Sequence, residues 1–97
     1  MAGDYSIGSS KWPGTSKLIE EMGELAQVLG KLLGNNGEAQ HWDGTDLRER
    51  LVEELADVRA ALMFFIYMNL MPEESNRSRD RAHVKLDRFN EWHEKGQ

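Results

Sequence analysis

Two similar stretches decide the fold: LIEEMGELAQVL at residues 18–29 and LVEELADVRAAL at residues 51–62. Aligned at an offset of 33 residues, they share Leu, Glu, Glu and a final Leu, and between these they pair aliphatic, small and acidic residues. Their apolar residues recur at steps of three and four, which is the spacing of an amphipathic helix. The repeat therefore predicts two equivalent helices.

The residues around the first stretch predict its ends. The first helix should begin with Thr15 or Ser16 as its N-cap, because a hydroxyl oxygen can accept from the free N–H groups of the first turn. It should stop at Gly34, since glycine adopts the left-handed conformation without strain. The segment 34–46 is long for a helix connection and contains His41–Trp42, which favours a functional loop.

The remaining capping and helix-breaking residues predict two further helices. The second should begin near Asp46, which has capping-box spacing to Glu49, and should run to about Leu70. A proline then interrupts the pattern, so the third helix should start between Glu73 and Ser78 and end at Gly96. Strand-like alternation is absent, and the predicted fold class is all-α.

The length of 97 residues indicates one small domain. Residues 1–12 are rich in Gly and Ser and are expected to form a flexible N-terminal segment, with the helical domain at 13–97. The run Ala60–Met68 is apolar on nearly every side, which a domain of this size cannot cover alone. We therefore expect a bundle of three long helices per chain, completed by assembly into a homo-oligomer, either a dimer or a tetramer.

Composition excludes several classes of function. A net charge of −5 argues against a nucleic-acid partner, which needs a basic surface. The absence of Cys excludes disulfides, thiolate metal sites and cysteine nucleophiles. The apolar run Ala60–Met68 is too short for a membrane span, and the N-terminal residues lack the apolar core of a signal peptide. We expect a cytoplasmic protein with no membrane partner.

The repeated stretches carry matched acidic pairs. Glu21 and Glu24 share one helix face, as do Glu54 and Asp57, and each pair leads into an apolar stripe. Antiparallel packing of the two faces would bring four carboxylates together, where mutual repulsion would raise their pKa values. A divalent cation removes that repulsion, and a ligand set made only of oxygen suits Mg²⁺ or Mn²⁺.

Two less specific interpretations of these acids stay open. The first is a solvated face, because Lys17 precedes Glu21 by four residues and Arg50 precedes Glu54 by four, as in ordinary helical ion pairs. The second is a metal-free helical module that serves oligomerisation or regulation. A module would explain the apolar second helix equally well, but not the repetition of four acids on apolar faces.

A basic stripe lies on the third helix. Arg81, Lys85 and Arg88 follow one another at helical spacing, and Lys and Arg side chains pair well with phosphate oxygens. Next to a metal site such a stripe indicates polyphosphate binding. The alternative is a solvated face on which the stripe pairs with nearby acids, namely Asp80, Asp87 and Glu91.

Three residues outside the stripes are candidates for binding a nucleobase. Trp12 and Trp42 lie at loop-like positions where an aromatic ring could stack on a base, or could instead pack against a neighbouring subunit. Asp43 could accept from the N1–H and amino group of guanine, which favours a purine substrate such as dGTP or GTP. The contrary possibility is a pyrimidine pocket for dUTP or dCTP.

The acidic motifs resemble a known family. The first helix carries E-E-x-x-E as Glu20, Glu21 and Glu24, and the second carries E-x-x-D as Glu54 and Asp57. This pair of motifs is similar to the signature of the MazG-like all-α nucleoside triphosphate pyrophosphatases, which are related to the helical dUTPases. Either motif alone would be unspecific, whereas the pair is specific.

The resemblance implies an activity and its residues. Family members bind two or three Mg²⁺ ions and cleave the α–β phosphoanhydride of a nucleoside triphosphate, releasing the monophosphate and pyrophosphate. They assemble as dimers or tetramers. Glu20 would be a further ligand or would orient the attacking water. The residues implied as metal ligands are Glu21, Glu24, Glu54 and Asp57, and those implied as phosphate contacts are Lys85 and Arg88, with Arg81 on the same stripe.

The resemblance spans residues 13–92, with one departure. Twenty-nine residues separate Glu24 from Glu54, at or just beyond the usual upper limit of the family. The excess lies in the loop that contains Trp42. The metal motifs are unaffected, and the residues that recognise the base stay open.

Overall fold

A computed structural model describes residues 3–40 and 43–96 and folds them into three α-helices. These are α1 at Thr15–Gly34, α2 at Leu47–Asn69 and α3 at Pro72–Glu94. Within the described ranges the structure contains no β-strand. The all-α class predicted from the sequence is confirmed.

The N-terminus of α1 differs from the prediction. Gly14 occupies the N-cap position with φ of 89°, and no side chain caps the helix there. The expectation of Thr15 or Ser16 as N-cap is therefore wrong. Their hydroxyls bind the preceding segment instead, because Thr15 Oγ1 donates to the Trp12 carbonyl at 2.8 Å and Ser16 Oγ donates to the Tyr5 carbonyl at 3.1 Å.

The end of α1 also lies slightly beyond the predicted stop. Gly34 is the last helical residue rather than the left-handed terminator. The left-handed conformation falls on Asn36 and Gly37, with φ of 54° and 79°. Gly37 N–H donates to the Leu32 carbonyl at 2.8 Å and so satisfies one of the free carbonyls of the last turn.

The starts of α2 and α3 depend on different caps. Asp46 caps α2 as predicted, since its carboxylate accepts from the backbone N–H groups of Arg48 and Glu49 at 3.0 and 3.2 Å. The helix α3 starts earlier than predicted, because Pro72 supplies the first residue, where a missing N–H costs nothing. It ends at Glu94, before the predicted end at glycine 96.

The segment before α1 forms a hydrogen-bonded loop. Tyr5 N–H donates to the Lys11 carbonyl at 3.0 Å, and Ser16 N–H at the start of α1 donates to the Tyr5 carbonyl at 3.0 Å. The loop is thereby tied to α1. Flexibility of residues 1–12, which the composition suggests, stays a prediction.

The helices α1 and α2 form an antiparallel hairpin that contains the core. Asn69, at the end of α2, donates through its amide to the Pro13 carbonyl at 2.9 Å, so the start of α1 lies beside the end of α2. The buried apolar side chains are Val28, Leu47 and Ala61, with 2%, 1% and 8% of their surface exposed. This packing of repeat against repeat fixes which carboxylates can meet.

The third helix stays apart from this hairpin. Its described residues make few contacts with α1 and α2, and none of them is buried. The molecule is flat, measuring 43 × 37 × 15 Å. One chain therefore does not close a three-helix bundle. Large apolar side chains of α3 remain about half exposed, namely Val84, Leu86, Phe89 and Trp92.

The C-terminal half of α2 is also exposed on one side. Met63 and Tyr67 leave 70% and 84% of their surface uncovered in a single chain.

In residues 3–40 and 43–96, each helix is too short or too polar to span a lipid bilayer.

Candidate metal centre

The antiparallel hairpin brings three carboxylates together. Glu21 lies in the second turn of α1, and Glu54 and Asp57 lie one turn apart on the facing side of α2. Each of the three offers an oxygen, and these oxygens lie within 4.8 Å of one another. Mg²⁺ holds its oxygen ligands at about 2.0–2.1 Å and Ca²⁺ at about 2.3–2.6 Å. We call these three residues the acidic cluster, and its spacing suits a shared divalent cation.

Two carboxylate oxygens of the acidic cluster are buried and have no hydrogen-bond partner in the described part of the chain. Glu54 is 7% exposed, and its Oε1 accepts from Arg50 Nη2 at 3.3 Å. Its Oε2 is buried and has no hydrogen-bond partner among the residues described, and the same holds for Glu21 Oε2. Buried charged oxygens are costly unless they are paired or coordinate a metal. These two oxygens therefore fit a cation as ligand atoms.

The electrostatics of Glu21 point the same way. Burial raises the pKa of its carboxyl above the ordinary value, and the negative charges of Glu24 and Asp57 raise that pKa further, while Lys17 opposes the shift. Close acids thus repel one another in the folded chain. A bound divalent cation would relieve this repulsion.

The other two predicted acids take different positions. Glu24 is half-buried one turn after Glu21, and its charge raises the pKa of Glu21. It is not among the three residues whose oxygens lie within 4.8 Å of one another. Glu20 is exposed, and its carboxylate accepts from Lys17 Nζ at 3.1 Å. Their roles in metal binding and catalysis stay predictions.

A cleft of about 330 Å³ opens beside the acidic cluster. That volume lies at the lower end of the range for small-molecule sites, about 300–1,000 Å³. Several of the residues that line this cleft carry no signal in the sequence pattern. Lys17 and Phe64 had a sequence signal, because they lie four residues before Glu21 and seven after Asp57, on the same helix faces. The lining consists of Ile7, Gly14, Lys17, Glu21, Asp57, Ala60, Ala61 and Phe64.

The predicted phosphate-binding residues lie on α3. Arg81 and Arg88 are exposed and Lys85 is partly covered, and their helix makes few contacts with the hairpin that carries the acidic cluster. A single chain therefore does not bring the stripe and the cluster together. Phosphate binding by these residues stays a prediction.

Two of the predicted base-binding residues, Trp12 and Asp43, are not among the residues that line the cleft. Trp12 is 54% exposed and stacks on Phe65 of α2, with ring centroids 6.4 Å apart and 13° between the planes. Asp43 Oδ1 accepts from Thr45 N–H at 2.9 Å in the loop before α2. Trp42 and the neighbouring His41 lie outside the described residues.

Comparisons with known proteins leave the site to be judged on its own geometry. No family model, no curated protein and no solved structure matches this chain.

Proposed function

We propose that this protein is a Mg²⁺- or Mn²⁺-dependent nucleoside triphosphate pyrophosphohydrolase of the MazG-like all-α type. The observation that carries the proposal is the acidic cluster: Glu21, Glu54 and Asp57 offer oxygens within 4.8 Å of one another. Two oxygens of the cluster, Glu21 Oε2 and Glu54 Oε2, are buried and find no hydrogen-bond partner in residues 3–40 and 43–96. The matched acidic motifs on α1 and α2 supply these residues, and the adjoining cleft offers room for a ligand.

The proposed reaction is hydrolysis at the α-phosphorus. Water attacks, the bond from the α-phosphorus to the bridging oxygen breaks, and pyrophosphate leaves from the nucleoside monophosphate. A bound divalent cation supplies charge neutralisation and a more acidic water. The acidic cluster holds the cation, with Glu24 as a fourth ligand and Glu20 as a further ligand or an orienting group for water. Two or three ions per site are proposed, as in the family that the motifs resemble.

The proposal includes a homo-oligomer, because a single chain leaves large apolar side chains of α2 and α3 exposed. The half-exposed apolar side chains of α3 and the exposed Met63 and Tyr67 of α2 are covered when a second chain packs on them. Such assembly, as a dimer or a tetramer, is also the route by which α3 of one chain can reach the acidic cluster of another. Its stripe, Arg81, Lys85 and Arg88, then contacts the phosphates of the substrate.

The proposed substrate is a (d)NTP, with purines such as dGTP or GTP ahead of dUTP and dCTP. The positions of Trp12, Trp42 and Asp43 in the sequence are the basis of that preference. Competition among the four dNTPs tests it, and a preference for dUTP or dCTP would contradict it.

A second candidate function is a metal-free helical module for oligomerisation or regulation. The observation in its favour is the extent of uncovered apolar surface, above all on α3, which suits protein binding as well as self-assembly. It does not account for the buried oxygens of Glu21 and Glu54 that have no hydrogen-bond partner in the described part of the chain.

Release of pyrophosphate from a panel of NTPs and dNTPs, with Mg²⁺ or Mn²⁺, tests the proposal. Wild type should be active only with the cation, and Glu54→Gln should lose activity while keeping its helical circular dichroism. Glu53→Gln is the matched control, since it removes the same charge from an exposed neighbouring position. Full activity in Glu54→Gln, or none in wild type with any nucleotide, would contradict the proposal.

A further inference from the structure

The cleft beside the acidic cluster has an apolar end. Its lining includes Ala61 and Phe64, which follow Asp57 on α2, and Ile7 of the N-terminal loop. From Asp57 to Phe64 the helix rises about 10 Å. An occupant that spans this cleft therefore has an anionic or metal-bound end and an apolar end.

Gly14 allows the ring of Phe64 to lie where it does. A Cβ atom at this position would lie 2.7 Å from Phe64 Cδ1 and 2.9 Å from Phe64 Cε1, and both distances are too short for a carbon–carbon contact. The φ of Gly14 is 89°, which also favours glycine. Gly14 N–H also donates to the Ser6 carbonyl at 3.0 Å, which holds the loop that carries Ile7 against the end of the hairpin. The apolar end is thus formed jointly by the loop and α2.

We propose that this apolar end binds the nucleobase, with Phe64 as the stacking surface and Ile7 closing the other side. The inference rests on the proposed function and names the base subsite of that same cleft. The rise of about 10 Å along α2 from Asp57 to Phe64 matches the length of a nucleoside rather than of a phosphate group alone. Aromatic stacking of this kind tolerates any base.

Lys17 supports the orientation of the nucleotide in this cleft. It is a lysine in the first turn of α1 that lines the cleft, and its Nζ is held at 3.1 Å by the exposed Glu20. A positive charge beside the acidic cluster suits phosphate oxygens, so the phosphates lie at that end and the base at the end of Phe64.

Trp12 is the competing stacking residue. Its ring already stacks on Phe65, and it lines a different groove, together with Lys11, Met68 and Asn69. The two aromatic residues therefore offer alternative base sites that substitution can separate.

Steady-state hydrolysis by Phe64→Leu and Trp12→Leu tests the assignment, because each variant keeps an apolar side chain but removes the ring. Phe64→Leu should raise KM for dNTPs about fivefold or more with kcat little changed. Inhibition by inorganic pyrophosphate, which has no base, and Mn²⁺ binding should match wild type. Trp12→Leu should raise KM less than Phe64→Leu does.

The opposite results would overturn the assignment. An unchanged KM in Phe64→Leu, an equal loss of pyrophosphate affinity, or a larger effect in Trp12→Leu would each do so. If Phe64→Leu does not fold, Ile7→Ala on the exposed loop decides instead, with KM about threefold higher or more expected and an unchanged KM contradicting the proposal. A wild type that hydrolyses no nucleotide would remove the proposed function itself, and this subsite with it.

Discussion

The three helices have similar lengths, but the two that form the hairpin bury side chains against each other, whereas α3 is exposed to solvent. The hairpin buries Val28, Leu47 and Ala61 and brings together its acids, whereas α3 buries none of its described residues. Acids on α3 pair locally with bases one turn away, as Glu91 does with Lys95 at 2.7 Å. In the acidic cluster, Glu21 has the carboxylates of Glu24 and Asp57 close to it, with Lys17 partly opposing their charge, while Glu54 pairs with Arg50.

This difference shows that the helices form for two different reasons, namely packing of one apolar face on another and local capping and ion pairs. The repeat forms the hairpin because each apolar face covers the other. Local features are enough for α3: a proline at its first position, a carboxylate of Glu74 that accepts from Met71 N–H at 2.9 Å, and exposed ion pairs worth at most about 1 kcal/mol each. Its apolar side chains are the part of the chain whose packing one protomer does not explain.

The largest expected effect is in the hairpin core. Leu47→Ala should destabilise the protein by about 2–5 kcal/mol, because it removes a side chain that is 1% exposed. Leu86→Ala on α3, where the side chain is 54% exposed, should cost about 1 kcal/mol or less in dilute protein. Urea titrations measure both. The cost of Leu86→Ala should grow with protein concentration if α3 packs in an oligomer, and a constant cost would contradict that.

The basic stripe should matter for binding rather than for stability. Lys85→Ala and Arg88→Ala should each weaken a triphosphate by about 1.5–3 kcal/mol, and the monophosphate product less, because the lost partners are the outer phosphates. Arg77→Ala is the control on the same helix, since Arg77 pairs with Glu73 at 2.6 Å. Equal weakening of triphosphate and monophosphate would remove the stripe from phosphate binding.

Substitution of glycine tests how tightly the N-terminal loop meets the hairpin. Gly14 and Gly37 both have positive φ, 89° and 79°, but only a Cβ at Gly14 would collide, with Phe64. Backbone strain alone costs about 1–3 kcal/mol, and Gly14→Ala should cost more than Gly37→Ala by the collision. Thermal melts of the two variants provide the comparison. Equal melting temperatures would show that the ring of Phe64 moves away freely.

The smallest effect should be a pH dependence specific to the hairpin. The folded-state pKa of Glu21 is raised above its ordinary value of 4.5, so its carboxyl favours folding most below that pH, and this contribution is lost as pH rises through the folded-state pKa. In metal-free protein, stability should therefore fall more with rising pH in wild type than in Glu21→Gln. Glu91→Gln on α3 is the control and should behave like wild type. Identical pH profiles for wild type and Glu21→Gln would contradict the repulsion.

Helical pattern and cap chemistry predicted much of the fold. The repeat located α1 and α2, and Asp46 marked the start of α2 correctly. The cap of α1 was mispredicted because the hydroxyls of Thr15 and Ser16 bind the N-terminal loop, a contact that local spacing does not reveal. The separation of α3 from the hairpin was also beyond the pattern, since an apolar stripe does not say which chain covers it.

The sequence predicted the candidate site in part, as it did the fold. The motif spacing identified Glu21, Glu54 and Asp57, which the hairpin brings together. It could not identify Ile7 or Gly14, because a loop and a helix that are distant in sequence meet only in the folded chain. Placement by tertiary contact, rather than by periodicity, is the information that the sequence pattern lacks.

Calorimetric titration of the metal-free protein with Mn²⁺ tests the central claim most directly, because it needs neither a substrate nor an assumed reaction. Wild type should bind the ion, Glu54→Gln should bind it much more weakly, and Glu53→Gln should bind it like wild type. Absence of Mn²⁺ binding in wild type, or equal binding in Glu54→Gln, would contradict the assignment of Glu21, Glu54 and Asp57 as a metal centre.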